Sequence, residues 1–519
     1  MTTLTYLGHA CFLFETDAAA ILIDPWLSPE GAFLGTWRQL PPNDHCLAFV
    51  EAKMKQKPVA IYVTHEHEDH YDEKTMRRLL PLAKALYIPD YENHFFKNLM
   101  VKNLGAAPQV LGEDAPEMFH DISFKIFIDE SGINRDSAIF LKTPDLSFLD
   151  ANDCKIFDRA TFLLERCGPI DILSSQFSGA NMHPICYDMP EESYREISRQ
   201  KRMRKFVAVR NFIKDLKPRY YLPSAGPAVF PYPQHEALNF QEKNIFPKWW
   251  EFRDFLGGKA DVEFVPLDVL GTATGAAGQP PAFAGMAKEI TDAEIMDIIH
   301  KYRALDAALP KAAKISEAAI FAFFGSEMNK KIEVLKSNPK VSIDCTLFID
   351  IRKEDGTDTL YCLKPGTLQL EKADKSAIAP PYYLHTTSTA ALEKFIQSGK
   401  GWGTYFLSFL FRGKRDPDVF DTALGTFFVA NDAADLDYGL KKLVEFRDSD
   451  EYITLEAPDG KSSVSCRRFC PHQGADLTYA NFDGKYVICP RHQWRFNCEN
   501  GGKADNSNDT LDATITKKQ

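Results

Sequence analysis

The chain is 519 residues long with a formal net charge of −11 at pH 7. A length of this order exceeds what one core can serve and predicts about three or four domains, while the acidic balance excludes a nucleic-acid-binding surface. No apolar run reaches the ~20 residues of a membrane span, the N-terminus lacks a signal-peptide pattern, and 11 scattered cysteines make no disulfide framework, so a cytoplasmic protein is expected.

Residues 1–270 alternate short apolar runs with helical patterns. "AAAILIDPWL", "VAIYVTH", "LSFLDAND" and "RYYLPSAG" read as strands ending in polar or turn residues, the pattern of an α/β domain that carries site residues at its strand ends. The basic run "SRQKRMRKF" (198–206) reads as a solvated helix face, with contact to an anionic group as the alternative. The Gly/Ala/Pro-rich stretch at 271–285 reads as a linker. A helical pattern follows over 288–335, then strand-like "VSIDCTLFIDI" and "TLYCLKPGTLQLE", giving an α+β segment. The expected domains are 1–275, 286–435 and 440–519.

Two constellations carry chemistry. "YVTHEHEDHYD" (62–72) sets His65, His67, Asp69 and His70 directly behind an apolar strand. A loop at a strand end can turn such closely spaced donors toward one point, and this density of imidazole and carboxylate points to a metal site. In "RRFCPHQGADLTYANFDGKYVICPRHQWRFN" (467–497), Cys470 and His472 form one short pair, Cys489 and His492 another. Two thiolates and two imidazoles would also suit zinc. Zinc fingers, however, group like with like, whereas mixed pairs suit a 2Fe-2S cluster with Cys470 and Cys489 on one iron, His472 and His492 on the other.

The C-terminal motif, with Gly474 and "CPRHQWRFN", resembles the Rieske 2Fe-2S family, which implies an all-β domain closed by the turn and strand of the C-terminal tail. The N-terminal motif, with the opening "YLGHACFLFETDAAAILIDPWL", resembles the metallo-β-lactamase fold superfamily. That resemblance implies an αββα sandwich with a metal site along one edge: His65 and His67 on one ion, Asp69 and His70 on the other, Asp24 supporting the loop from behind. His9 stays open between a structural and a functional role. A bridging aspartate is implied at a later strand end, Asp153 with Asp150 as the alternative; Asp69 and Asp153 are the carboxylates expected to serve catalysis. A further family histidine has no counterpart. The corresponding stretch "FKIFIDESGINRDS" offers Glu130 or Asp129, and His120 comes too early. The last family histidine is His183 in "SGANMHP", with His235 in "PYPQHEA" as the alternative. The middle segment weakly resembles the sterol-carrier-like fold, although a packing or dimerisation module is the favoured reading.

The combination resembles the CMP-N-acetylneuraminate hydroxylases, through "IDPWLSPEGAFLGTWRQLPPND", "THEHEDHYD" and "KPRYYLPSAGP". It departs in placing the Rieske module at the C-terminus, which implies a relative with another substrate. The resemblance implies iron in the sandwich domain, one ion or two, with zinc as the alternative. It also implies a small-molecule substrate, a nucleotide sugar or an amino-group-bearing metabolite. No nucleotide-binding loop stands out, so electrons are expected from a ferredoxin, cytochrome or flavin reductase. The cluster imidazoles are expected to face a sandwich domain, contributed by a second subunit of a homo-oligomer if the middle domain intervenes. Competing readings are a metallohydrolase with a structural or regulatory cluster, and an electron carrier or sensor.

Overall fold

The computed structural model describes residues 1–131, 134–242, 244–310 and 312–518. Its contacts form two compact units. The first is Met1–Glu130, Arg135–Ala180 and Arg195–Leu309; the second is Ser131–Asn134, Asn181–Tyr194 and Pro310–Gln519. Of the expected middle segment 286–435, residues 286–309 fall in the first unit and the rest shares the second unit with 440–519.

Two mixed sheets build the first unit. One runs, in spatial order, Ala282–Met286, Leu267–Gly275, Thr2–Gly8, Cys11–Glu15, Ala20–Ile23, Val59–Tyr62, Ala85–Pro89 and Gln109–Leu111. The other runs Glu263–Phe264, Tyr220–Ser224, Ile172–Gln176, Ser147–Asp150, Asn134–Lys142, Ile122–Ser131 and Glu117–Phe119. Successive side chains of a strand point to opposite faces, and the two faces of each sheet fill different cores. Phe12, Phe14, Ile21 and Tyr62 meet Ile126, Ile139, Leu141 and Phe148 between the sheets. The alternate residues Leu13, Leu22 and Ile61 face Val50 and Met54 of the helix Cys46–Gln56 and Met76 of the helix Glu73–Leu79. On the far side, Leu149 and Leu173 face Phe206, Val209 and Phe212 of the helix Glu191–Leu216. The result is an αββα sandwich. Strands covered on both faces read as continuous apolar runs rather than alternating ones, which is why "AILI" and "VAIY" are buried throughout.

The expected linker is not one. Leu267–Gly275 pairs antiparallel with Thr2–Gly8 and with Ala282–Met286. Its small residues have a packing reason: a Cβ on Gly275 would lie 2.4 Å from the Asp145 carbonyl oxygen, and one on Gly271 would lie 2.5 Å from that of Gly285.

The second unit contains a five-stranded sheet in the order Leu370–Lys372, Asp358–Leu363, Thr346–Arg352, Tyr382–Ser388, Arg412–Asp416. It also holds a three-stranded sheet (Tyr452–Glu456, Ser462–Arg467, Thr514–Lys517) and a four-stranded one (Asn481–Phe482, Tyr486–Ile488, Arg495–Asn497, Lys503–Ala504). The last two share a core of Val464, Leu477, Val487, Phe496 and Leu511. Among the described residues no helix is long and apolar enough to cross a membrane.

Candidate metal centres

In the first unit the donors gather where parallel strands end side by side. Ala20–Ile23 and Val59–Tyr62 run parallel, Ile23 beside Tyr62, so Asp24 and Thr64 emerge together. Asp24 Oδ1 accepts the Thr64 backbone N–H at 2.8 Å, and Oδ2 accepts the Thr64 hydroxyl at 2.7 Å. The same Oδ2 lies 2.7 Å from His70 Nδ1. A carboxylate only accepts, so it fixes His70 as the Nδ1–H tautomer and leaves Nε2 bare. Asp72 closes the loop as the N-cap of Glu73–Leu79, accepting from Lys74 N–H, which assigns it a structural role.

His70 Nε2 stands 3.6 Å from Asp153 Oδ1 and 3.9 Å from Asp69 Oδ2. Both separations are too long for hydrogen bonds, and His70 Nε2 and Asp153 Oδ1 are buried atoms with no hydrogen-bond partner among the described residues. Two buried lone-pair donors that face one another without bonding fit a cation between them. Asp69 is held from the other side by His9 Nε2, at 3.0 Å, which gives His9 a definite place. His65 Nε2 and His67 Nδ1 lie 2.8 Å apart, and His65 Nδ1 is 2.9 Å from the Thr64 hydroxyl. The donor atoms of His9, Asp69 and His70 all lie within 4.8 Å of one another, as do those of His65, His70 and Asp153.

The electrostatics favour a cation. Burial opposes the charging of His70, yet Asp24, Asp69 and Asp153 together hold its pKa well above the usual histidine value, so these carboxylates hold a positive charge at His70, a proton on Nε2 or a metal ion in its place. Burial, reinforced by the charge of Asp153, pushes the Asp136 carboxyl well above the carboxylate range. Crowded carboxylates of this kind are relieved by a bound metal.

Two of the expected ligands stand away from the donor groups. Glu130 spends both oxygens on the backbone, accepting Glu92 N–H at 2.7 Å and Asn93 N–H at 2.9 Å, and so ties down the loop before the helix Phe95–Leu104. His183 belongs to the second unit, where it sits edge-on to Tyr187 and 3.9 Å from Asp418; neither donor group includes it. Asp136 was missed. It lies on the strand Asn134–Lys142, with Oδ1 3.4 Å from His65 Nδ1. The favoured Asp153 lies beside the histidines, whereas Asp150 turns one oxygen to its own loop, accepting Asn152 N–H at 3.1 Å. Asp24→Asn should weaken metal retention about 10–100-fold, the usual cost of losing a partner that orients a ligating histidine; chelator competition measures it.

In the second unit Cys470 and Cys489 are buried side by side and hydrogen-bond through their side chains. The rings of His472 and His492 lie 4.9 Å apart. The donors thus sort into a thiol pair and an imidazole pair. Each comes from a tight turn: Gly474 N–H returns to the Cys470 carbonyl at 2.8 Å, and Gln493 N–H to that of Cys489 at 2.9 Å. Gly474 has φ +65°, and a Cβ there would meet the Phe446 ring at 2.3 Å. Gly474→Ala should therefore cost about 1–3 kcal/mol through overpacking, read as a lower denaturation midpoint and reduced cluster occupancy. His472 is covered: Trp494 stacks flat on it at 3.9 Å and Phe420 stands edge-on at 5.6 Å. Only 9% of it is exposed.

Residues 3–131 match the family model for the beta-lactamase superfamily domain, and residues 427–512 that for the Rieske 2Fe-2S domain. A protein of Mycolicibacterium smegmatis named as a Rieske 2Fe-2S iron-sulfur protein is 26% identical over 96% of this chain and 96% of its own length. The cytidine monophosphate-N-acetylneuraminic acid hydroxylase of Cricetulus griseus is 25% identical over 254 residues, 47% of this chain and 42% of the hydroxylase. Among solved structures, CmlA, a diiron beta-hydroxylase from Streptomyces venezuelae, aligns at 14% identity over 51% of this chain and 53% of its own, with a TM-score of 0.34. The chain is a metallo-β-lactamase-fold protein carrying a C-terminal Rieske 2Fe-2S domain.

Proposed function

We propose that the chain is an oxidoreductase, a Rieske-dependent non-haem iron hydroxylase acting on a small molecule. One observation carries the reading: a carboxylate-rich histidine site and a one-electron carrier occur in the same polypeptide. A hydrolase needs an activated water and no electrons; a cluster is accounted for when the other site consumes them. The hydroxylase name of the relatives that match about half of the chain supports the same reading.

In this proposal His65 and His67, with Asp136, hold one ion, Asp69 and His70 hold another, and Asp153 serves both. Iron bound there would supply O₂ activation, with electrons from the Rieske cluster and from an external ferredoxin, cytochrome or flavin reductase, one oxygen atom entering substrate and the other leaving as water. The chain's own residues prepare the site. Asp24 keeps the His70 Nδ1–H in place and so presents its Nε2 lone pair. His9 holds the Asp69 carboxylate in one orientation. Phe33 stands edge-on to His67 and Trp37 edge-on to Phe33, an apolar wall that excludes water from this side.

Metal analysis of purified protein tests this. Iron beyond the two atoms of the cluster is the expected result. Two irons together with stoichiometric zinc would favour a hydrolase instead.

A further inference from the structure

The second unit has a solvent-open cavity of about 70 Å³ that neither donor set uses. Tyr187, Tyr382, Tyr383, Phe420 and Phe428 provide its aromatic lining. Asp344, Asp416 and Asp421 also line it, against a single cation, Arg415. That guanidinium is already engaged: it pairs with Asp418 at 2.6 Å and lies 4.8 Å over the Tyr187 ring. Aromatic faces attract a cation, by about 0.5–2 kcal/mol each, and the excess of carboxylates repels an anion.

One wall of this cavity is also a wall of the cluster site. Phe420 stands edge-on to His472 at 5.6 Å and to Trp494 at 5.8 Å, while Trp494 stacks on His472. Its position is moulded by Gly425, where a Cβ would meet the Phe420 ring at 2.6 Å. A ligand in the cavity therefore presses on a ring that touches His472.

We propose that this cavity binds a small aromatic amine as its ammonium ion, and that Phe420 couples its occupancy to the redox state of the cluster. Reduction adds one electron to the cluster, so a cation held one ring away favours the reduced form. The amine itself is chemically unchanged. Linkage makes the effect reciprocal: the reduced protein binds the amine more tightly by the same factor that raises the midpoint potential. For a one-electron couple, about fivefold tightening equals an upward shift of about 41 mV, from about 59 mV per tenfold. The inference rests on the Rieske cluster and not on oxygen activation, so its failure leaves the hydroxylase reading standing.

The test uses the full, cluster-loaded protein with phenethylamine as probe, phenylacetate as the anionic control and 2-phenylethanol as the neutral one. Anaerobic calorimetry on oxidised and dithionite-reduced protein gives the two affinities; a redox titration followed by visible circular dichroism gives the midpoint. Phenethylamine should bind the reduced form at least about fivefold more tightly, with the matching upward shift, and phenylacetate should not bind. Phe420→Leu, which removes the ring packed between cavity and His472, should still bind phenethylamine but with a smaller difference between the two states. Asp416→Asn, at an exposed position, should weaken binding while preserving the ratio between states. Absence of binding, equal affinity in both states of the unaltered protein, binding of phenylacetate, or a shift that survives undiminished in Phe420→Leu would each overturn the proposal.

Discussion

Replacing His65 and His67 together by alanine should give a chain that keeps its Rieske spectrum and loses its second metal population, along with any O₂-dependent turnover. The two imidazole nitrogens lie 2.8 Å apart on one loop, so the double change removes neighbouring donors and leaves Asp69, His70 and Asp153 to hold metal alone. The loss should exceed the 10–100-fold that follows removal of an orienting partner. The loop itself should survive. Its conformation is set by Asp24 on Thr64 and by the Asp72 cap, neither of which is touched. Metal analysis and the cluster's visible spectrum, taken on one sample, read both halves of the expectation. Disappearance of the Rieske signal from a folded variant would show that the two sites are not separate.

The largest electrochemical effect is expected at the other centre. Changing His472 and His492 together to cysteine replaces two neutral ligands by two thiolates and adds negative charge to the cluster. Rieske centres lie at about −150 to +300 mV and all-cysteine plant-type clusters near −400 mV, so the midpoint should fall by at least about 250 mV. A redox titration followed by electron paramagnetic resonance measures it, and the rhombic low-g signal of the imidazole-ligated centre should be lost. His472→Cys alone should move part of the way if the cluster assembles. An assembled double-cysteine cluster with an unchanged midpoint would mean that the two histidines are not ligands.

The sequence carried the site where donors are neighbours in the chain. "THEHEDH" and the two Cys/His pairs are local, and their backbones are set by local devices such as the Asp72 cap and the positive φ of Gly474. It misled where the partner comes from a distant strand. Glu130 and Asp136 lie on consecutive strands, and nothing in "DESGINRDS" tells which carboxylate reaches His65; that depends on how the strands are placed in the sheet. His183 follows an apolar strand, as a ligand would, but its segment packs with the second unit through Tyr187 and Arg412. The stretch at 271–285 reads as a linker because glycine, alanine and proline dominate it, although it contributes to the edge strand Ala282–Met286 and to its neighbour Leu267–Gly275, where close backbone approach demands small residues. The cover on His472 was likewise illegible: Phe420 lies in a different segment from the motif, and only the fold brings its ring to the imidazole.

The central claim is that electrons from the Rieske domain serve oxygen chemistry in the same chain. It is tested most directly by reducing the protein anaerobically, adding a metabolite extract and isotopically labelled O₂, and following the products by mass spectrometry. The account expects one labelled oxygen atom in a product that requires both the intact cluster and His65 with His67. A product whose new oxygen comes from water, or one formed equally well without the cluster, would contradict it.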